Sequence, residues 1–259
     1  ARARIAAEHA AFERALERAV PEAQVRWRYR LVANGMAVVL PASGVPLLRD
    51  LDGVREVVPG VRYRPQLDRS AMQIGAPELW GTSLEAAGAG VKIGIIDDGV
   101  DHRHPFFSPR GYVMPPGFPK GRTAYTTTKV IVARAFPPAG AEWKNAPLPF
   151  DPELSSHGTH VAGIAAGNAG TRAGDGRIVA GVAPRAYFGN YKALTIPTDA
   201  NVGLDGNSPE LVAAIEAAVA DGMDVINLSI GEPEIEPSRD IVALALDAVH
   251  AERGTLNQF

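Results

Sequence analysis

Hydrophobic residues recur at two different periods along this chain, and the change between them divides it. Ile5, His9, Phe12, Leu16 and Val20 stand at helical spacing among Arg and Glu, and Pro21 closes the run. That pattern predicts a helix over residues 1–20. Two strand-like runs follow at 25–32 and 36–40, with Ala33, Asn34 and Gly35 between them. Asn-Gly between β-rich runs signals a hairpin, because both residues tolerate positive φ. Residues 43–51 read as a short helix and 54–63 as a last strand. The order is therefore α-β-β-α-β, a small α+β ferredoxin-like unit without its first strand. So thin a core is marginal alone. Residues 64–81, with Pro65 and Pro77, read as a linker and a domain boundary open to proteolysis.

From Val91 the pattern changes to continuous apolar runs. Residues 91–96 (VKIGII) end in Asp97-Asp98-Gly99, and further strands are predicted at 130–136, 187–194 and 225–230. Helices are predicted between them at 161–168, 209–221 and 240–252. The middle one has Ser208 as its N-cap, Pro209 at its first position and Gly222 just past its end. Fully apolar strands alternating with helices predict a parallel, doubly wound α/β sheet. Residues 105–152 are rich in Pro and Gly. Two readings stay open there: a surface excursion that shapes a cleft, or a disordered insertion.

Composition narrows the class without naming a function. The 259 residues are 46 % apolar and 21 % charged, an ordinary globular balance. No run approaches the ~20 apolar residues of a membrane span. Cysteine is absent, so thiolate and disulfide chemistry are excluded. Residues 1–70 hold 12 Arg against 8 acids, and residues 71–259 hold 14 basic residues against 21 acids, so segments of +4 and −7 make up the net −3. Opposite signs favour their association. Neither has the density of a nucleic-acid surface. The chain opens without Met or a signal-peptide pattern, which reads as a processed or clipped start.

The candidate chemistry centres on residues 154–167, LSSHGTHVAGIAAG. His157 and His160 lie one turn apart on a helix of small and β-branched residues that suits close backbone approach. Asp97 stands where a core strand ends, and ligands of open α/β sheets gather at such carboxyl ends. A carboxylate there orients an imidazole and stabilises its charged form. A turn-capping Asp97 and a structural His157 are the bland readings. A zinc reading of His157, His160, His102 and His104 is weaker, since metal helices space histidines at i, i+4 around a Glu. No metal site is expected.

Taken together, IGIIDDGVDHRHPFF, SSHGTHVAGIAAG, GVAPRAYFGNYKAL and MDVINLSIG, in this order, resemble the subtilisin-like serine proteases, or subtilases, over residues 72–231. The resemblance implies a subtilisin-like parallel doubly wound sheet over residues 70–259, incomplete at its C-terminus. It also implies a serine endopeptidase working through an Asp-His-Ser triad and an acyl-enzyme, with Asp97 as triad aspartate and His157 as general base. Ser229, Ile230 and Gly231 correspond to the strand that pairs with the substrate backbone, and His160 takes a structural place. Residues 1–69 resemble the family propeptide, an intramolecular inhibitor and folding aid, with maturation expected in 65–72. The partners implied are protein or peptide substrates and this propeptide, with no nucleic acid and no membrane span. The setting implied is secreted, and calcium is common in the family although no acidic loop here is assignable.

Two departures accompany the match. Asp98 stands where the family usually has Thr or Ser, although some subtilases carry the same choice. The chain also reads RGTLNQF after its last helix, where the family continues to an oxyanion Asn and a nucleophilic Ser. The expectation is an N-terminal fragment carrying Asp97 and His157 but no nucleophile, and inactive by itself. Residues 81–87 (GTSLEAA) mimic the serine motif, but Ser83 precedes Asp97, and Glu85 would put an acid on the buried side of a helix. Asn257 is too close to its helix to end a core strand. A non-catalytic relative that binds peptide through residues 229–231 is the alternative.

Overall fold

The computed structural model describes residues 2–65, 74–174, 176 and 178–253. Its elements are α1 (Arg2–Ala19), β1 (Gln24–Tyr29), β2 (Gly35–Val39), α2 (Val45–Arg49), β3 (Arg62–Pro65), β4 (Lys92–Asp97), β5 (Lys120–Gly121), β6 (Val130–Ala135), α3 (His157–Ala166), β7 (Thr171–Arg172), β8 (Ile178–Val179), β9 (Tyr187–Lys192), β10 (Ile196–Pro197), β11 (Leu204–Asn207), α4 (Ser208–Asp221), β12 (Val225–Asn227), β13 (Ile230–Gly231) and α5 (Ile241–Arg253). Five strands form the central sheet in the order β12-β4-β9-β6-β5. Every pairing in it is parallel.

The apolar run of β4 explains why both faces of this sheet are covered. Successive side chains point to opposite faces. Ile93 and Ile95 pack with Val161, Ala162 and Ala166 of α3, while Ile96 joins α4 and α5 through Leu211, Ile215, Val242 and Val249. The small residues of α3 let neighbouring backbone approach closely. A Cβ on Gly181 would lie 2.4 Å from the amide of Gly167, and one on Gly163 would lie 2.9 Å from the Phe106 ring. Residues 105–152 are folded: β5 adds a second strand there, and Phe107, Asn145 and Asp151 are buried. The reading as a disordered insertion is thereby removed.

The N-terminal elements differ from the expected unit at two points. The hairpin forms, but its loop runs through residues 30–34, and Gly35 already pairs with Tyr29. Asn34 instead ties the loop to α1, donating to Glu8 (2.8 Å) and accepting from His9 Nε2 (3.0 Å). An irregularity between Val25 and Trp27 lets the hairpin serve two cores. Val25 packs with Leu16, Val20 and Leu48, whereas Trp27 and Tyr29 join the main core against α4. The larger difference is the last strand. Residues 54–61 form no strand, and β3 pairs not with the hairpin but with β11 and β13. The backbone accounting gives the reason. Pro59 has no N–H to donate, while Val61 exchanges bonds with Ser208, its amide to Oγ (3.0 Å) and its carbonyl with the Ser208 amide (2.8 Å). Ser208 therefore begins α4 rather than capping it, and Asn207 is the N-cap.

Further contacts bind the hairpin to α4. Trp27 Nε1 donates to Glu210 (3.1 Å), Tyr29 OH to the Pro209 carbonyl (2.7 Å) and the Arg30 amide to Glu216 (3.0 Å).

Candidate active site

Asp97 ends β4 and His157 begins α3, so a strand terminus and a helix terminus meet at the carboxyl edge of the sheet. His157 Nδ1 lies 2.8 and 3.0 Å from the two carboxylate oxygens of Asp97. Asp97 is 1 % exposed and the His157 side chain 12 %. Asp97 Oδ1 also accepts the Asp98 amide at 2.7 Å, which fixes the carboxylate from its own backbone. A carboxylate so held sets the tautomer of the ring: the proton sits on Nδ1 and the lone pair on Nε2.

Asp98 is fully buried and points the other way, into the first turn of α3. Its Oδ2 accepts the amides of Ser156 and His157, each at 3.0 Å, and its Oδ1 accepts that of Gly158 at 2.7 Å. Three of the amides that a helix N-terminus leaves without intrahelical partners are thus satisfied by one side chain from another element. Burial, and next the Asp97 charge, push its carboxyl up to about 7. The turn between strand and helix is tight. Gly99 has φ of 110°, and a Cβ on Gly158 would lie 2.6 Å from the Gly99 carbonyl oxygen. Ser155 Oγ donates to the Asp98 carbonyl and closes the turn.

A buried cation stands beside this pair. Lys192 ends β9 in register with Asp97, is fully buried, and donates to the Asn145 carbonyl at 2.9 Å. Burial lowers its amine to about 8, against the pull of Asp151 and Asp98. Asp151 is buried as well. Despite that burial, Trp143 Nε1, the Glu153 amide, Asn145 and Lys192 hold it below the ordinary carboxylate range.

The other expected residues fall as follows. Ser229 and β13 leave the same edge of the sheet, just beyond β12, whose Asn227 is in register with Ile95. Ser229 Oγ donates to Asn227 (3.0 Å), and Gly231 and Ile230 pair antiparallel with Arg64 and Pro65. On its other side β3 pairs with Gly206 and Asn207 of β11. An extended segment therefore already lies between two strands. The β11 edge is missing from the sequence reading, although the Gly in DGNSPE is a usable sign: a Cβ on Gly206 would lie 2.7 Å from the Ala193 carbonyl oxygen. Asp98 as a cap and Lys192 are likewise missing from it.

His160 is on the exposed face of α3 rather than packed in the structure. His102 packs against Tyr125 with the rings tilted at 58°, and His104 accepts the Phe106 amide, so the histidines do not converge. Among the described residues no group of three or more His, Cys, Asp or Glu is able to hold a metal. No described helix is long and apolar enough to cross a membrane. Ser83 belongs to a turn and donates to Glu85 (2.7 Å); Glu85 is exposed, and residues 81–87 form no helix, which corrects its expected buried side. Apart from Pro65, the expected maturation segment 65–72 lies outside the described residues, as does Asn257.

A parallel α/β sheet with a carboxylate-held imidazole at its carboxyl edge defines a hydrolase-type site. Residues 88–256 match the model of the subtilase family, and the chain belongs to that family of serine proteases, with its subtilisin-like α/β fold. It is 32 % identical over 233 residues to the minor extracellular protease Vpr of Bacillus subtilis, covering 83 % of this chain and 25 % of that protein. It is 33 % identical over 234 residues to the subtilisin-like protease SBT2.1 of Arabidopsis thaliana, covering 79 % and 26 %. It is 30 % identical over 234 residues to SBT4.7 of the same plant, covering 86 % and 31 %. The chain spans about a quarter of the length of the first two of these relatives.

Proposed function

We propose that this chain carries the acid–base half of a serine endopeptidase site, with Asp97 and His157 as triad members. The observation that carries the reading is the Nδ1 contact of His157 with both oxygens of a buried Asp97. In such a site Nε2 takes the serine proton as the hydroxyl attacks the scissile carbonyl, then returns it to the leaving amine. Asp97 keeps Nε2 in the accepting tautomer and stabilises the imidazolium that forms. Ser229, Ile230 and Gly231 are the edge on which a peptide substrate adds as a strand.

On the same reading, residues 1–69 are the propeptide, and β3 is its tail held in the substrate channel. Support comes from the antiparallel pairing of β3 with β11 and β13 and from the hairpin docked on α4. No residue among the described ones is assigned as nucleophile or oxyanion Asn. The word extracellular in the name of the Bacillus relative supports a secreted enzyme.

The test is a version extended through the family serine motif, assayed on casein and with a fluorophosphonate. It hydrolyses and labels, His157→Ala reduces hydrolysis on the order of a million-fold, and the 259-residue chain does not label. Labelling of this chain at any serine, or full activity of the extended His157→Ala variant, overturns the reading.

A further inference from the structure

We propose that Asp98 is a positioning residue: by capping α3 with a buried anion it holds His157 against Asp97 and offsets the field of the helix on the imidazole. This inference rests on the reading of His157 as a base, but its test uses no substrate.

His157 is the first residue of α3, a helix of ten residues. The positive end of a helix disfavours a cation in its first turn. A base placed there loses proton affinity at the moment it must become an imidazolium. Asp98 puts a carboxylate on the amides of Ser156, His157 and Gly158, where the positive end of that field is strongest. The same three bonds fix the backbone of His157 relative to β4, so cap and alignment are one contact. A Ser or Thr hydroxyl here would reach fewer amides and carry no charge, so the Asp brings a distinct electrostatic property. Asp98 is fully buried with both oxygens engaged by α3.

The charged groups around Asp98 decide whether it is an anion. Burial opposes ionisation most strongly, and the adjacent Asp97 at the end of β4 does so next. From β9 the Lys192 ammonium favours it, and from the loop before α3 Asp151 competes for that ammonium. On α3 itself, protonation of His157 favours the anion, and His160 is exposed. Asp98 therefore titrates near neutrality, in the range of an ordinary histidine.

The experiment follows the ring proton of His157 by NMR through a pH titration of the 259-residue chain, assigned by its loss in His157→Gln. The parent and two variants, Asp98→Asn and Asp98→Ser, are compared. Both variants preserve a polar group at the turn, and a backbone amide spectrum verifies that each folds. The His157 midpoint falls by about half a unit to one unit in both variants. The parent curve is broadened by the Asp98 carboxyl titrating in the same range, and both variants give a simple single step. A cap with a merely structural role lowers thermal stability but leaves the midpoint where it was. Midpoints within about 0.2 units of the parent in both folded variants, or an upward shift, overturn the proposal. Should the extended protein prove inactive while the midpoint falls as stated, the protease reading fails and the role of Asp98 stands.

Discussion

Gly158→Ala sets helix propensity against close packing at the turn between β4 and α3. Gly158 is the second residue of α3 with no positive φ, so propensity alone predicts a gain of about 1 kcal/mol for Ala over Gly. The cradle predicts the reverse. The new Cβ meets the Gly99 carbonyl oxygen at 2.6 Å, Asp98 Oδ1 at 2.9 Å and Asp97 Cβ at 3.0 Å. Of these only Asp98 Oδ1 ends a side chain, and its bond from the Gly158 amide (2.7 Å) holds it in place. Gly99 has little room to retreat, because its own Cβ position lies 2.6 Å from the Pro149 carbonyl oxygen. Overpacking against such neighbours costs about 3 kcal/mol, the upper part of its usual range. Subtracting the propensity gain leaves about 2 kcal/mol of net destabilisation, or a Tm lower by roughly 4–8 °C for a chain of this size. Thermal unfolding followed by circular dichroism measures it, with Gly174→Ala as control, since a Cβ at Gly174 meets nothing within 4 Å. A Gly158→Ala protein at least as stable as the parent refutes the argument: the strand-to-helix turn would then yield easily, and Asp98 would not be held by geometry.

Other perturbations test the buried charges and the strand in the channel. Lys129 is fully buried, donates to Tyr112 OH (2.8 Å) and the carbonyls of Pro184 (3.1 Å) and Ala186 (2.6 Å), and is lowered by burial to about 7. Its folded-state value lies below the unfolded one, so its contribution to stability grows as pH rises from about 7 towards 10. Lys129→Met abolishes that rise in urea-unfolding curves, and an unchanged pH slope contradicts it. Asp98 acts in the opposite sense, its raised carboxyl making stability fall as pH rises from about 4 to about 7, and Asp98→Asn flattens that limb. Glu210 is raised by burial against the bonds from Trp27 and Asn207. Glu210→Gln therefore relieves a loss of stability above the ordinary carboxylate range, read as a smaller difference between unfolding midpoints at about pH 5 and about pH 8. Deleting residues 62–65 leaves the β11 and β13 edges unpaired, and the amides of those strands then exchange faster in hydrogen-exchange mass spectrometry.

The elements legible in the sequence were those in which one period dominates. The run at 91–96 gave β4 within one residue, and Pro209 with Gly222 bracketed α4, whose C-cap Gly222 has φ of 86°. Residues 54–63 misled because apolar content was taken as pairing. Val54, Val57, Val58 and Val61 look like strand residues, yet Pro59 and the bonds of Val61 to Ser208 turn the backbone away from the hairpin. Which strand a segment joins depends on distant partners, and neither β11 nor β13 is visible from residues 62–65 alone. The same bonds moved the cap of α4 from Ser208 to Asn207, since a Ser whose Oγ serves another chain segment is not available to its own helix.

The site shows the complementary limit. That Asp97 and His157 meet was expected from the motifs that resemble the subtilases, and the structure brings the two side chains together. Asp98 sets a second carboxylate beside the first, two like charges in adjacent residues. The structure resolves that conflict by direction: at the end of β4 Asp97 faces the ring, and Asp98, in the bend just past it, faces the helix amides. A Lys that ends the neighbouring strand then supplies the counter-charge, at a position in register with Asp97. Neither relation is present in the local sequence, because one depends on where α3 begins against the end of β4 and the other on which strand lies beside β4. Buried charges at this edge are therefore to be understood as a set of four, Asp97, Asp98, Lys192 and Asp151, and not as a pair with bystanders. It follows that Lys192→Met should act on His157 through Asp98: with the ammonium gone the carboxyl takes up a proton, and the imidazole midpoint moves in the same direction as in Asp98→Asn. In the double variant the two shifts should not add, and additive shifts would show that Lys192 acts on the ring by a separate route.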